Sequence, residues 1–493
     1  MPVSRKLLFF LLAFTALRLG VSGSFELALD EGYYWLWSRH LSLGYYDHPP
    51  MVALVIAFTT LVGESELFVR LGAVIGSVAA SLLVFRLADN LFENMAAGWH
   101  AVWLLNISLI FSVGALVVSP DTPLVPIYLA ALLLFREAAE KGGAGRWLLA
   151  GAVAGLALLS KYTAAFFFPC AFMYLLLSPG KRRWLATPMP YLATLVSAAV
   201  FSPVIIWNWQ HGWMSFAFQS AHGLARAVEN PAGHLLEFVG FQAVLYSVGI
   251  FFFLMAAGVA LVRGSFFNGA DESRRDVSLF LFSFSVPVLA FFALNSLRAT
   301  VEGNWPVLGF LPLIVQAGGM AEGWLASARA RTALIASAAA AFLFLVFLHV
   351  QVVDPVIPHP KRFEISRRIY GWRLLATAVD VERKSFPAAF LIADRFQTGT
   401  LMTYYTAPHI PAYQIGGDNP RRYSFLPPVD SYAGSGAIYL AEESRDASQA
   451  LAPVFERVEK VRTVEITRKG ELIRRFVLYR CYNYRGGLDL IHE

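Results

Sequence analysis

The chain has 493 residues, of which 57% are hydrophobic and 15% charged, with a formal net charge of +6. A soluble globular domain carries nearer 25% charge, so this balance excludes an ordinary water-soluble protein. The basic residues are scattered over short loops instead of forming one face, which excludes a nucleic-acid partner, and the two cysteines, Cys170 and Cys481, offer no disulfide framework.

Arg5 and Lys6 precede the first apolar run, but no small-residue cleavage site ends it in the right place, so it reads as a membrane helix and not as a secretory signal. Runs long enough to cross a hydrocarbon core of about 30 Å recur at 7–23, 65–88, 98–118, 123–138, 146–160, 164–178, 187–207, 235–262, 278–295, 305–322 and 333–353, about eleven spans in all. The run 49–63 starts with Pro49-Pro50, is too short to span, and is expected to lie as an amphipathic helix at the outer interface. The stretch 146–178 is divided in two because Lys161-Tyr162 would be costly at mid-bilayer while Lys181-Arg182-Arg183 needs the inner side. Beyond residue 354 no run is long enough to span. The sequence predicts a membrane domain over 1–354 and a water-soluble α/β domain over 355–493, with strands at Phe390–Asp394 and Ala437–Leu440 and helices at 361–382 and 446–459. Its turn 415–422 reads as a solvent loop or a contact for an anionic headgroup.

The loops set the orientation. With the N-terminus cytoplasmic, the inner loops collect Arg86, Arg136, Lys141, Arg146, Lys181–Arg183, Arg263, Arg274, Arg275, Arg329 and Arg331, a positive-inside pattern. The outer loops then hold Asp30, Glu31, Asp47, His48, Asp121, Lys161, the 208–234 loop and the 296–304 loop, and the C-terminal domain falls on that same side.

In the first outer loop, Leu29-Asp30-Glu31-Gly32-Tyr33-Tyr34-Trp35 is followed by Tyr45-Tyr46-Asp47-His48-Pro49-Pro50. Aromatics alone would suit an interfacial belt. Two adjacent carboxylates at the end of an apolar helix raise each other's pKa and disfavour insertion unless they are used, for instance as a proton acceptor. Asp121, in Ser119-Pro120-Asp121-Thr122-Pro123, suits a helix cap as well as a site acid. Lys161 suits a snorkelling lysine or a phosphate partner. His211 and His222 have no metal-ligand spacing to a local partner.

In order and sidedness these elements, together with the turn Glu302-Gly303-Asn304-Trp305-Pro306, resemble the GT-C membrane glycosyltransferases. The similarity is to their protein-mannosyltransferase-like branch, which includes bacterial lipid A aminoarabinose and galacturonic acid transferases. The resemblance covers about residues 5–325 and implies a polyprenyl-phosphate sugar donor and a lipid or glycan acceptor at the outer face of the inner membrane. It implies Asp30 as the group that activates the acceptor, Asp121 as a second acid, and Asp47 as the acid before the interfacial proline. His48 stands where the aminoarabinose enzymes have lysine, which changes the phosphate contact. His222, with His211 as its rival, matches a histidine that shares a divalent ion (Mg, Mn or Zn) with that acid. Glu31 is assigned electrostatic support, and His48, Lys161, Arg298 and Asn304 the donor phosphate or sugar. Displacement by a base at one face would invert the anomeric carbon. Competing readings keep the fold and change the acceptor, as in protein O-mannosylation, or make the chain a lipid or sugar transporter or flippase with ionisable groups near the midplane.

Overall fold

The computed structural model describes residues 5–224, 230–267, 271–356, 366–416 and 419–490, with backbone alone at 222–224, 366, 419 and 420. Its helices run in chain order as α1 (Arg5–Ser22), α2 (Leu29–Arg39), α3 (Met51–Thr59), α4 (Glu66–Phe92), α5 (Met95–Ile107), α6 (Leu109–Gly114), α7 (Asp121–Lys141), α8 (Ala144–Ser160), α9 (Phe167–Leu177), α10 (Met189–Gln210), α11 (Met214–Leu224), α12 (Pro231–Leu245), α13 (Val248–Phe266), α14 (Glu272–Ser296), α15 (Val307–Ala326) and α16 (Ala328–Val353). Six of them, α4, α7, α10, α13, α14 and α16, are long and apolar enough by length and composition to cross a membrane. The chain is a multi-pass membrane protein.

The chain divides into two compact units, the first made of Met1–Leu19, Asp47–Val52 and Gly72–Leu348. Lipid tails are as apolar as leucine, so close fit more than water exclusion holds such helices together. On α8, Gly151 and Gly155 are one turn apart and face α10, where an added Cβ would strike the Ala193 backbone or the Val200 side chain. Tyr246 stacks on Phe310 with centroids 4.0 Å apart, and Phe135 makes edge contacts with Trp147, Phe167, Tyr174 and Phe284. Towards the C-terminal end of α7, Arg136 pairs with Asp276 of α14 at 2.6 Å, and the Tyr174 hydroxyl of α9 donates to the same carboxylate at 3.1 Å.

Two expected spans are interrupted. The 98–118 run breaks at Ser108, whose extended backbone separates α5 from α6. The 235–262 run becomes α12 and α13 because Ser247 takes a positive φ of 62°, incompatible with a continuous helix. The short run at 49–63 is α3 plus a 3-10 turn at Thr60–Val62, but its exposed side chains Leu54, Phe58, Leu61 and Val62 are all apolar, so it lacks the polar face that an amphipathic helix would show.

The second unit joins Gly20–Tyr46 and Ala53–Leu71 to His349–Glu493, so the division is not the single cut expected at 354. It adds α17 (Ser366–Ile369), α18 (Trp372–Ser385), α19 (Phe396–Tyr405) and α20 (Asn419–Arg422), and five strands, β1 (Phe390–Ala393), β2 (Ala412–Gln414), β3 (Ala437–Glu442), β4 (Phe455–Arg468) and β5 (Glu471–Tyr484). The sheet order is β2-β1-β3-β5-β4, with β1 parallel to both neighbours and the β3-β5 and β5-β4 pairs antiparallel. The first outer loop belongs here because α2 packs on α19: Tyr33 meets Phe396 at 4.8 Å, Trp35 meets Tyr404 at 4.9 Å, and the Leu27 amide donates to the Tyr405 hydroxyl at 2.7 Å.

Strands β1 and β3 lie where the sequence placed them, whereas the helix expected over 446–459 does not form. That stretch holds one 3-10 turn, Ser448–Leu451, and then opens into β4. The cause is the hairpin partner: Lys469-Gly470 takes φ of 51° and 85°, both positive as a tight two-residue turn requires, and locks β4 to β5. The helix expected over 361–382 is α17 and α18, parted at Gly371 with φ 91°, and its first residues lie outside the described ones.

Candidate active site

Within the first unit, three residues expected from three separate outer loops come together. Asp121 is the first residue of α7, delivered by a turn in which the Thr122 hydroxyl accepts from the Ser119 amide at 3.0 Å. Lys161 ends α8 in an extended conformation, which turns its side chain off the helix, and its ammonium donates to both Asp121 oxygens at 2.9 Å. The Asn304 amide donates to Asp121 Oδ2 at 2.5 Å. The Asn304 turn is fixed by the Gln242 side chain, which donates to the Gly303 carbonyl at 3.0 Å, and by close approach of α12: a Cβ on Gly303 would collide with Phe241 and Leu245. The side chains of Lys161 and Asp121 are 6% and 16% exposed. An ammonium has three hydrogens, and this pair engages two. The carboxylate borders a cavity of about 360 Å³ that is otherwise lined mainly by apolar side chains from α4, α5, α6 and α7.

Asp47 is half-buried; its carbonyl accepts from Gln219 at 2.6 Å, and its charge reaches Tyr162, whose hydroxyl shares a 2.8 Å hydrogen bond with Ser215. His48 is half-buried beside it. His211 is used locally: it stacks on Trp207 at 4.2 Å, and its Nδ1 lies 2.8 Å from the Trp207 carbonyl at the end of α10. The side chain of His222 lies outside the described residues. Arg298 is exposed in the turn after α14, its amide bonded to the Asn295 carbonyl at 2.8 Å. Among the described residues there is no group of three His, Cys, Asp or Glu that could hold a metal ion.

The second unit holds Asp30 and Glu31, and they have different surroundings. Glu31 is 1% exposed and forms a forked pair with the fully buried Arg70: Nε lies 2.9 and 3.1 Å from its two oxygens and Nη2 2.6 Å from Oε2. Arg70 also donates to the Ser22, Phe25 and Glu26 carbonyls at 2.7–2.9 Å, while Glu31 accepts the Ala28 amide at 2.8 Å. Glu31 therefore anchors the first turn of α2, a positioning role. Asp30, next to it, leaves its carboxylate at the surface, with a long 3.5 Å contact from the Gln397 amide. The bulk of protein around it raises the Asp30 pKa above the ordinary carboxylate value, against lowering by Gln397, Arg368 and Arg395. An exposed carboxylate with a raised pKa is a better proton acceptor than an unperturbed one.

Sequence reasoning missed Arg70. The signal was present, since an arginine inside a predicted span needs a named anionic partner, and Glu31 was the nearest unexplained acid. It also missed Gln397, Arg368 and Arg395, which lie 338–367 residues from Asp30 along the chain and share no local pattern with it.

Residues 47–207 match the family described as dolichyl-phosphate-mannose-protein mannosyltransferase. A lipid A galacturonosyltransferase, RgtD of Rhizobium johnstonii, is 29% identical over 287 residues, 57% of this chain. The chain spans 58% of the length of that relative. The fold resembles ArnT from Cupriavidus metallidurans, both in the apo state (TM-score 0.63, 16% identity, 96% of this chain and 97% of that one) and bound to undecaprenyl phosphate (TM-score 0.64, 15% identity, 97% and 98%). It also resembles the archaeal oligosaccharyltransferase AglB from Archaeoglobus fulgidus, with TM-score 0.52 and 12% identity over 90% of this chain and 70% of that one.

Proposed function

We propose that this chain is a GT-C membrane glycosyltransferase of the protein-mannosyltransferase-like branch and that it moves a sugar from a polyprenyl-phosphate donor to lipid A or a similar envelope glycolipid. The transfer takes place at the outer face of the inner membrane, in a chain of about eleven spans whose N-terminus is cytoplasmic and whose C-terminal unit is extracytoplasmic. The observation that carries this reading is the meeting of Asp121, Lys161 and Asn304, from three loops, at the border of an apolar cavity. A lipid-linked donor needs that combination of charge and greasy wall.

An acceptor oxygen attacks the anomeric carbon as the bond from that carbon to the phosphate oxygen breaks, and the electron pair leaves with the polyprenyl phosphate. The proton of the acceptor passes to the Asp30 carboxylate, whose raised pKa suits the task. The leaving phosphate is already a stable anion, so it asks for charge stabilisation more than for an acid. Lys161 offers its third hydrogen, and His48, Asn304 and Arg298 are the further polar groups assigned to the donor. Displacement at one face inverts the anomeric centre.

The test is mass spectrometry of envelope lipids and glycoproteins from cells with no copy, the wild type or Asp30→Asn. A sugar-sized mass that the wild type alone restores is expected, with transfer by Asp30→Asn down by about 10²–10⁴-fold. Full activity in Asp30→Asn removes Asp30 as the base. Identical profiles in all three strains, with donor and protein both present, favour transport over transfer.

A further inference from the structure

The second unit gathers arginines at one end of its sheet that the transfer reading does not use. Strand β1 lies between β2 and β3 and runs parallel to both. After β1 the chain crosses through α19 to β2 on one side, whereas after β3 it leaves for β4 and β5 on the other. The carboxyl ends of β1 and β3 therefore form a point where the connections diverge, the place where open α/β sheets take their ligands. Asp394 joins the two ends: its amide donates to the Leu440 carbonyl at 3.2 Å, and its Oδ2 accepts the Glu442 amide at 3.3 Å.

Five arginines surround these ends. Arg395, half-buried at the start of α19, places its Nε 3.3 Å from Thr398 Oγ1, while Arg445 just after β3 and Arg368 on α17 are exposed. Arg367 pairs with Glu442 at 2.5 Å, and Glu443 is taken by Arg475 at 3.0 Å. Arg474 of β5 is 3% exposed and lies 4.0 Å from the Trp372 ring; its Nη2 donates to the Tyr370 carbonyl at 2.7 Å, but its Nε and Nη1 make no hydrogen bond to the described residues. Glu442 and Glu26 act on it only at longer range. Among the described residues no carboxylate lies within 4.0 Å of Arg368, Arg395 or Arg445. The charges of Arg395 and Arg445 reach Asp394, and those of Arg368 and Arg395 reach Asp30. The amino end of the ten-residue α19, which has no side-chain cap, adds its positive pole at the same place. Like charges collected with too few counter-charges call for an anion.

We propose that this end of the sheet binds a phosphate monoester carried on the sugar headgroup of the acceptor, and so holds the acceptor beside Asp30. The acceptor as carrier rests on the transfer reading, whereas binding of the phosphate does not. A phosphate monoester has a charge of about −1.5 to −2 at neutral pH and three acceptor oxygens. Three guanidiniums without carboxylate partners match it better than they match the single charge of a carboxylate.

Isothermal titration calorimetry on the purified full chain, without donor, measures glucose 1-phosphate, glucuronate and glucose against wild type, Arg395→Gln, Arg445→Gln and Arg457→Gln. Arg457, exposed on β4 opposite Tyr482 and so at the other end of the sheet, controls for net charge. Wild type is expected to bind the phosphate ester about tenfold more tightly than glucuronate, with glucose weaker still. Arg395→Gln and Arg445→Gln each weaken the ester by about tenfold, and Arg457→Gln leaves it unchanged. Arg445 is exposed and makes no ion pair with the described residues, so its variant keeps the fold even if Arg395→Gln does not. Equal affinity for the ester and glucuronate overturns the proposal, as does an equal loss in Arg445→Gln and Arg457→Gln. In the transfer assay, Arg445→Gln raises KM for a phosphate-bearing acceptor about tenfold with kcat held. An unchanged KM overturns the assignment to the acceptor in favour of a bilayer headgroup. Ester binding that depends on Arg445 in a protein that transfers no sugar removes the transfer reading and leaves the phosphate site standing.

Discussion

Replacing Lys161 with methionine isolates the Asp121 carboxylate. The ammonium sits 2.9 Å from both carboxylate oxygens, and neither side chain is more than 16% exposed, so water cannot take over the role of the lysine. The Asn304 amide, a neutral donor, is then left beside the charge. Removing one partner of a buried pair costs about 3–5 kcal/mol, whereas removing both is often close to neutral. At roughly 2 °C per kcal/mol for a large domain, Lys161→Met lowers the unfolding midpoint by about 6–10 °C. Asp121→Asn combined with Lys161→Met restores most of that loss, giving a coupling of about 2–3 kcal/mol. Thermal unfolding in lipid nanodiscs, followed by tryptophan fluorescence, reads both quantities, and the same preparations are assayed for transfer. Recovery of stability without recovery of transfer is expected if the third hydrogen of the ammonium serves the donor. A single variant as stable as wild type, or a double variant no better than the worse single, refutes the pair.

In the second unit, Arg70→Met strands the Glu31 carboxylate among the Ser22, Phe25 and Glu26 carbonyls and is expected to cost about 3–5 kcal/mol, read as a lower unfolding midpoint; adding Glu31→Gln recovers part of it. Because the bulk of protein around it raises the Asp30 pKa, the acid limb of kcat/KM lies above the ordinary carboxylate value, with activity falling as pH drops through it. Arg395→Gln removes a lowering charge and moves that limb further up, as a pH–rate profile will show. The same raised pKa means that ionised Asp30 lowers stability once pH exceeds the raised value. Asp30→Asn is thus expected to unfold at or above the wild-type midpoint at pH 7 while losing transfer, and a clear drop in its midpoint counts against this account.

The spans realised as α4, α7, α10, α14 and α16 were legible because long apolar runs leave few alternatives. The breaks at Ser108 and Ser247 were not, since neither serine differs locally from a helical one and the extended or left-handed backbone there is set by neighbouring helices. For β4 and β5 the alternation of Val464 and Ile466 and the Lys469-Gly470 turn were available, but charges on both faces of the first half of β4 blurred the period. At the site, sidedness put Asp121, Lys161 and Asn304 on one face, but their hydrogen bonds to one another were not legible, because partners 40 and 183 residues apart share no local pattern. Adjacency misled at Asp30-Glu31: one acid is exposed and the other locked to Arg70, and only the fold of residues 20–26 around Arg70 decides which.

The placement of charge along α7 bears on transfer against transport. Asp121 opens this helix and Arg136 lies 15 residues later, about 22 Å along the axis at 1.5 Å per residue. Each belongs to a closed polar cluster, Asp121 with Lys161 and Asn304, and Arg136 with Asp276 and Tyr174. Between them the buried face carries Leu124, Leu129 and Leu132, and beyond Thr122 in the first turn its one hydroxyl, on Tyr128, makes no hydrogen bond to the described residues. A carrier would need ionisable or hydrated groups along such a route, or a broken helix near its middle. The internal Pro126 lies one turn from Asp121, near the start of α7. Polar groups closed off at each end of an apolar helix suit an enzyme that meets both substrates on one side better than one that passes a polar cargo through.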